Sequence, residues 1–231
     1  GAGVWDNELA HGQWWYGEGA VTMVLSDGYR LGGGVFGMWG RGESDVSAYD
    51  WKERGYGPQL VLKRNFRKEQ EDKFGQTSLL PAMWGLKLRW LPNDRVTGQN
   101  RESGYSQTQK GQKLGLYAEY LERRSPDWLV GVTGEVWHSF DRRIKSTWSG
   151  DKPQDRGSSA INVFAQYRIN DDWQTRGVLG VSHQNWDKLN FANAYIEARY
   201  LETFMCGPRL SLALNKPKTY ADVARSDLRT L

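Results

Sequence analysis

The sequence predicts an all-β protein, an antiparallel up-and-down arrangement of about 10–12 strands in one domain. Three observations support this class. Apolar and polar residues alternate along many short segments, which is the pattern of strands with two different faces. Trp, Tyr and Gly are abundant, with 12, 11 and 27 copies in 231 residues, and this composition favours strands and turns. No segment of useful length has a helical period.

The stretch 128–140, WLVGVTGEVWHSF, gives the clearest alternation. One parity holds Trp128, Val130, Val132, Val136 and Phe140, and the other holds Thr133, Glu135, Trp137 and Ser139. The pattern recurs at 80–91, 113–121, 159–169 and 207–216, and less regularly at 14–25, 31–40, 58–66, 173–184 and 190–201. These ten segments are the predicted strands.

The links between these segments differ in length. Residues 25–30, 123–128 and 169–173 carry the Asp, Gly, Asn and Pro typical of hairpin turns. Long polar links are expected at 41–57, 92–112 and 141–158, and 220–231 is compatible with a helix or a strand. Short turns at one end and long loops at the other predict a meander whose ends face different environments. The chain is interpreted as one domain over residues 1–231, complete or as a fragment of a longer protein.

Alternation alone does not separate a soluble β-barrel or sandwich from a transmembrane barrel, because both have one apolar face. Charged residues recur near mid-strand on the presumed inner face, and aromatic residues such as Trp128, Trp173 and Trp90 gather at strand ends. A closed barrel also removes exposed edges from a long meander. These observations favour a transmembrane β-barrel, with the soluble β fold as the alternative.

Asp-Trp turns occur at 125–128 (SPDW) and 170–173 (NDDW), together with the charged inner parity and the unequal links. In these features residues 13–216 resemble the outer-membrane β-barrels of Gram-negative bacteria as a class. The resemblance implies an outer-membrane location and lipid contact, and is closest to channels for acidic oligosaccharides and to exopolysaccharide-export barrels. Such barrels usually end in a strand with a terminal aromatic residue, whereas this chain ends in DLRTL.

Several other classes receive little support. Cys206 is the only cysteine, which argues against an internal disulfide or a zinc cluster, and no cofactor is expected. The net charge of +4 comes from interspersed residues, so nucleic-acid binding is not expected. His138 and Ser139 are adjacent and would point to opposite faces of a strand, and His183 lies in no catalytic motif, so an enzyme is not expected.

The predicted function is passage of an anionic or polar oligosaccharide, or export of a polysaccharide, through a basic and partly aromatic lumen. Arg offers bidentate contacts to carboxylates of acidic sugars, and aromatic rings stack on sugar rings. The candidate ligand-binding residues are Lys87, Arg89, Tyr117, Glu135, Trp137, Arg168, Arg176 and Arg199. The alternative is a barrel plugged by charge pairs, with a structural or adhesive role through its loops, and a partner in a larger envelope assembly is compatible with either.

Overall fold

A computed structural model describes residues 2–7, 10–44, 48–71, 75–147, 152–153, 156–185, 189–200, 204–206 and 209–214. These residues form an antiparallel sheet with no helix, and the sheet curls into a half-barrel. The all-β prediction is confirmed. The segment 220–231, which was compatible with a helix or a strand, lies outside the described residues.

Thirteen strands make up the described part of the sheet. They are β1 (Ala2–Asn7), β2 (Ala10–Val24), β3 (Tyr29–Ser44), β4 (Tyr49–Glu71), β5 (Thr77–Asn100), β6 (Ser106–Arg123), β7 (Trp128–Ser146), β8 (Lys152–Pro153), β9 (Arg156–Arg168), β10 (Trp173–Gln184), β11 (Leu189–Tyr200), β12 (Phe204–Cys206) and β13 (Arg209–Ala213). Each of the ten predicted segments overlaps one of these strands. The sequence did not predict the short strands β1, β8 and β12.

The strands follow each other in the sheet as they do in the chain. The order runs from β1 to β7, then through β9, β10 and β11 to β12, with β8 paired to β7 and β13 paired to β11. Consecutive strands are antiparallel, so the predicted up-and-down topology is confirmed. Within the described residues β1 does not pair with β12 or β13, so the sheet has two edges.

The three long loops expected from the sequence are mostly strand, and this part of the prediction is wrong. Residues 92–100 and 106–112 continue β5 and β6 and are joined by the short link 101–105. The pairing of β3 with β4 likewise continues to Ser44 opposite Tyr49. Backbone hydrogen bonds pair these polar strand ends. Because backbone pairing does not require an apolar face, these ends show no alternation of apolar and polar residues in the sequence. β4 and β5 consequently reach 23 and 24 residues.

The two faces of the half-barrel differ in chemistry. Phe36 on β3 and Trp137 on β7 approach within 6.2 Å between ring centroids although three strands separate β3 from β7, so they mark the concave face. With Leu91 they form a small apolar cluster. The other buried residues on this face are of both kinds. Val61, Phe164, Val178 and Phe191 are apolar, whereas Gln59, Arg89, Lys113, Ser139, Gln174, Ser182 and Asn193 are polar or charged. The opposite convex face carries large apolar side chains that remain exposed.

Candidate functional site

The concave face collects the charged residues of neighbouring strands because side chains alternate along each strand. Register pairs place Phe36 opposite Glu18, Gly115 opposite Trp137, and Tyr117 opposite both Lys87 and Glu135. Curling of the sheet then brings together residues from strands that are not neighbours. The candidate residues divide into a central cluster, a second group on β10 and β11, and one residue at a turn.

Glu18 is the centre of the first cluster. Lys87 Nζ lies 2.5 Å from Glu18 Oε1, and Arg89 Nη2 lies 2.7 Å from Glu18 Oε2. The two cations come from β5 and the carboxylate from β2. The contact therefore spans β3 and β4, the two strands that lie between them in the sheet. A carboxylate that accepts from two cations is a strong charge-assisted contact. It fixes the inward curl between β2 and β5.

Arg89 is held on several sides. Its Nε donates to Gln59 Oε1 at 3.5 Å, and Gln59 Nε2 donates in turn to the Val35 carbonyl oxygen at 3.3 Å. The guanidinium carbon lies 4.2 Å from the Phe36 ring centroid and 5.7 Å from that of Tyr117. Arg89 is only 9% exposed. Its contacts therefore make it part of the wall, with little surface left for a ligand.

Trp137, Tyr117 and Glu135 extend the cluster across β6 and β7. Lys113 Nζ lies 4.8 Å from the Trp137 ring centroid, a cation–π distance. Lys87 Nζ lies 5.4 Å from the Tyr117 ring centroid, and the Tyr117 hydroxyl donates to Glu119 Oε2 at 3.1 Å. These side chains form a continuous strip of rings and charges, and this strip joins five of the eight candidate residues: Lys87, Arg89, Tyr117, Glu135 and Trp137.

A second group lies on the far side of the concave face. Arg176 on β10 stands opposite Glu197 on β11, and its guanidinium carbon lies 3.8 Å from the Phe164 ring centroid. Arg199 Nε donates to Glu197 Oε1 at 2.7 Å. The Nε atom of Arg176 is buried and makes no hydrogen bond to the described residues. Among the candidate cations, Arg176 is the one that forms no ion pair or hydrogen bond with another described side chain.

Arg168 lies apart from both groups. It ends β9, and its guanidinium approaches the carboxylates of Asp127 and Asp171 at 3.5 and 3.9 Å. These aspartates belong to the two Asp-Trp turns. Arg168 links two neighbouring turns at one end of the sheet and does not join the strip.

Sequence reasoning did not include Glu18, Phe36 or Gln59 among the candidate site residues. Glu18 and Phe36 lie on β2 and β3, where alternation is irregular and Gly occupies many positions, and Gln59 lies on β4. Their roles depend on curling that joins residues 71 apart in the chain, which no local pattern encodes. The described residues contain no group of three or more potential metal ligands.

The chain matches no protein-family model and no curated protein. No helix in the described part of the chain has the length and apolar character needed to cross a membrane.

Proposed function

We propose that this protein forms the wall of an outer-membrane β-barrel channel that passes anionic or polar oligosaccharides. One observation carries the proposal. The exposed side chains of the convex face are apolar on strand after strand, whereas the sheltered concave face holds charged and polar side chains beside its buried apolar ones. This is the inverse of a water-soluble β protein and suits a wall between lipid and a watery lumen.

Every strand from β2 to β11 except the two-residue β8 contributes to the apolar band on the convex face. Its members include Val21, Val35, Leu60, Leu88, Leu116, Val136, Ile161, Leu179 and Ile196. Val21 is 86% exposed, and Leu179 and Ile196 are each 63% exposed. A continuous apolar surface of this extent is unusual for a soluble monomer and is expected to contact lipid.

Aromatic pairs border this band. Trp128 and Tyr167 stack across β7 and β9 with centroids 5.0 Å apart, and Trp173 and Tyr200 across β10 and β11 at 5.1 Å. Both pairs stand beside the Asp-Trp turns. Trp and Tyr rings favour the level of the lipid headgroups, so this end of the sheet is expected at a membrane interface.

The concave strip supports passage of polar solutes. Tyr117 is half-buried and keeps part of its ring accessible to a saccharide, and Arg176 offers guanidinium atoms suited to a carboxylate. A half-barrel cannot by itself separate lipid from water. Closure is expected to involve further strands, supplied by a second copy, a longer chain or a partner in the envelope.

A plugged structural barrel is the second candidate, and the ion pairs favour it. Glu18 pairs with both Lys87 and Arg89, Glu197 pairs with Arg199, and Lys63 lies 3.9 Å from Glu119. Such pairs across a narrow lumen fill it and cancel its field. The two candidates differ in whether Arg176 faces an open path.

Planar-bilayer recording tests the proposal. The channel predicts stepwise conductance with anion preference, reduced by an acidic oligosaccharide such as oligogalacturonate. Arg176→Gln should lower the anion preference and weaken this block, whereas Arg124→Gln, at a turn outside the lumen, should change neither. Insertion without conductance would support the plugged barrel, and failure to insert would overturn both candidates.

A further inference from the structure

Four basic residues form a row on the convex face across four neighbouring strands. Arg54 of β4 stands directly opposite Arg95 of β5, Arg95 opposite Lys110 of β6, and Lys110 opposite Arg143 of β7. We call these four residues the cation row. With strands about 4.8 Å apart, the row extends over about 14 Å. It lies in the part of the sheet that the sequence had assigned to loops.

Three of the four cations in the row have little internal compensation. Among the described residues no carboxylate forms an ion pair with Arg54, Arg95 or Lys110, and the buried Nε atom of Arg95 has no hydrogen-bond partner. The nearby Asp94 carboxylate already forms an ion pair on the concave side, where its Oδ2 lies 3.0 Å from Arg142 Nη1. Like charges directly opposite each other on a sheet are destabilising. An anion outside the described chain would remove that repulsion.

The position of the row indicates which anion. Along β4 the convex face passes from Leu60 to Tyr56 and then to Arg54, and along β5 from Leu88 to Trp90 and then to Arg95. Tyr56 and Trp90 are 63% and 43% exposed. An order of apolar band, aromatic ring and cation is the order of acyl chain, interface and headgroup in a lipid leaflet.

The row lines a cleft of about 870 Å³ that Lys145, Thr108 and Gln112 complete. Asp141 is the exposed carboxylate among the lining residues, against five cations. A row longer than one phosphate group suits a headgroup that carries two or more. We propose that this cleft binds the phosphate-bearing headgroup of a membrane lipid, whose acyl chains lie on the apolar band below. The inference rests on the proposed membrane location and adds a lipid site on the outer surface.

Native mass spectrometry of the detergent-solubilised protein tests the site, with lipid A as the bis-phosphorylated glycolipid probe. Wild-type protein should bind lipid A at least tenfold more tightly than its fully dephosphorylated form. The double variant Arg95→Gln, Lys110→Gln should bind lipid A about tenfold more weakly than wild type, because two charge-assisted contacts are lost. Arg124→Gln, which removes a cation at the opposite end of the sheet, should bind as wild type does.

Folding is checked separately by thermal unfolding in the same detergent without lipid. The double variant should unfold at the wild-type temperature or higher, because like-charge repulsion is reduced. Lipid A should then raise the unfolding temperature of wild type more than that of the variant.

Co-flotation with phosphatidylcholine vesicles separates failure of this inference from failure of the proposed function. A protein that floats but does not distinguish lipid A from its dephosphorylated form overturns the lipid site alone. A protein that does not float overturns the membrane location and the lipid site together. Displacement of lipid A by equimolar inorganic pyrophosphate would identify a general anion site and also overturn the lipid assignment.

Discussion

At the residue scale, Val132 and Thr133 on β7 separate the two faces of the sheet. Val132 stands opposite Tyr120 and Val163 on the convex side, whereas Thr133 stands opposite Glu119 and Asn162 on the concave side. The two positions share one strand and one depth. A charge placed at each in turn therefore compares the two environments directly.

Val132→Arg is expected to lower the free energy of unfolding in phospholipid vesicles by about 2–4 kcal/mol, which is the cost of a cation facing lipid near the midplane. Thr133→Arg should cost less than half as much, because its side chain enters a polar lumen. Urea titration of vesicle-inserted protein measures both. Equal costs at the two positions would contradict the assignment of the convex face to lipid.

Glu122 is a buried carboxylate near the turn end of β6 and is surrounded by donors. The Tyr120 hydroxyl donates to Glu122 Oε2 at 2.6 Å, Lys68 Nζ lies 3.0 Å from the same oxygen, and Gln70 Nε2 donates to Oε1 at 2.5 Å. The hydrogen bond from Tyr120, followed by that from Lys68, holds the pKa of Glu122 below its ordinary value of 4.5. Glu122 is only 2% exposed. Its carboxylate therefore joins β4 to β6 over the intervening β5.

A carboxylate with a lowered pKa in the folded state stabilises the fold at pH above 4.5, and this contribution is lost as the pH falls below that value. Wild-type protein should therefore lose thermal stability between about pH 5 and pH 3. Glu122→Gln should be less stable than wild type at neutral pH and should show a smaller loss over this interval. Glu69→Gln, an exposed neighbour of Lys68, should retain the wild-type pH dependence. A Glu122→Gln variant with the wild-type pH profile would exclude this carboxylate as the source.

At the scale of the element, the β2–β3 pair depends on close backbone approach at Gly34. A Cβ atom at this position would collide with the Gly19 carbonyl oxygen and would lie 2.6 Å from Cα of Ala20. Gln59 Nε2 also reaches the Gly19 carbonyl, at 3.5 Å. A side chain at Gly34 would push β2 outward and draw Glu18 away from Arg89.

Gly34→Ala is expected to destabilise the protein by about 1–3 kcal/mol, the usual cost of overpacking. Gly33→Ala is the matched control, because a Cβ atom there meets nothing nearer than 4.0 Å. Its effect should stay within about 0.5 kcal/mol. Chemical unfolding of the two variants under one condition measures the difference. Equal stability of the two variants would contradict the close approach of β2 and β3.

The sequence predicts some elements well and others poorly, for a physical reason. β7 was evident because Val130, Val132 and Val136 alternate with polar residues, which reflects the different surroundings of its two faces. The extension of β5 around Arg95 was missed because both faces there are largely polar, so pairing leaves no periodic pattern. The cation row falls in this extension.

The site was predictable only as a set of residues that share a face. Parity placed Lys87, Arg89, Tyr117 and Trp137 on the inner side, and their contacts agree with that placement. The alternation along each strand gave no information on which cations form ion pairs. The contact of Glu18 with Lys87 and Arg89 depends on the curvature of the whole sheet. The difference between Arg89, which is paired on several sides, and Arg176, which is not, therefore arises from the curled tertiary structure.

At the scale of the whole molecule, the half-barrel has one edge at β1 and another at β12 and β13 within the described residues. Unpaired strand edges expose backbone donors and acceptors and readily pair with other strands. Cross-linked oligomers of purified protein in detergent are expected if a second copy supplies the missing strands. A strictly monomeric protein would instead favour closure by a longer chain or by a different partner.

The neighbour-to-neighbour strand order also has a consequence for how the protein folds. Each hairpin joins residues close in sequence, so its loop closes quickly and the hairpins can form independently. The contact between Glu18 and Arg89 spans 71 residues and can form only after the intervening strands have paired. Curling is thus expected as a late kinetic step, in which the approach of Phe36 changes the surroundings of the Trp137 indole.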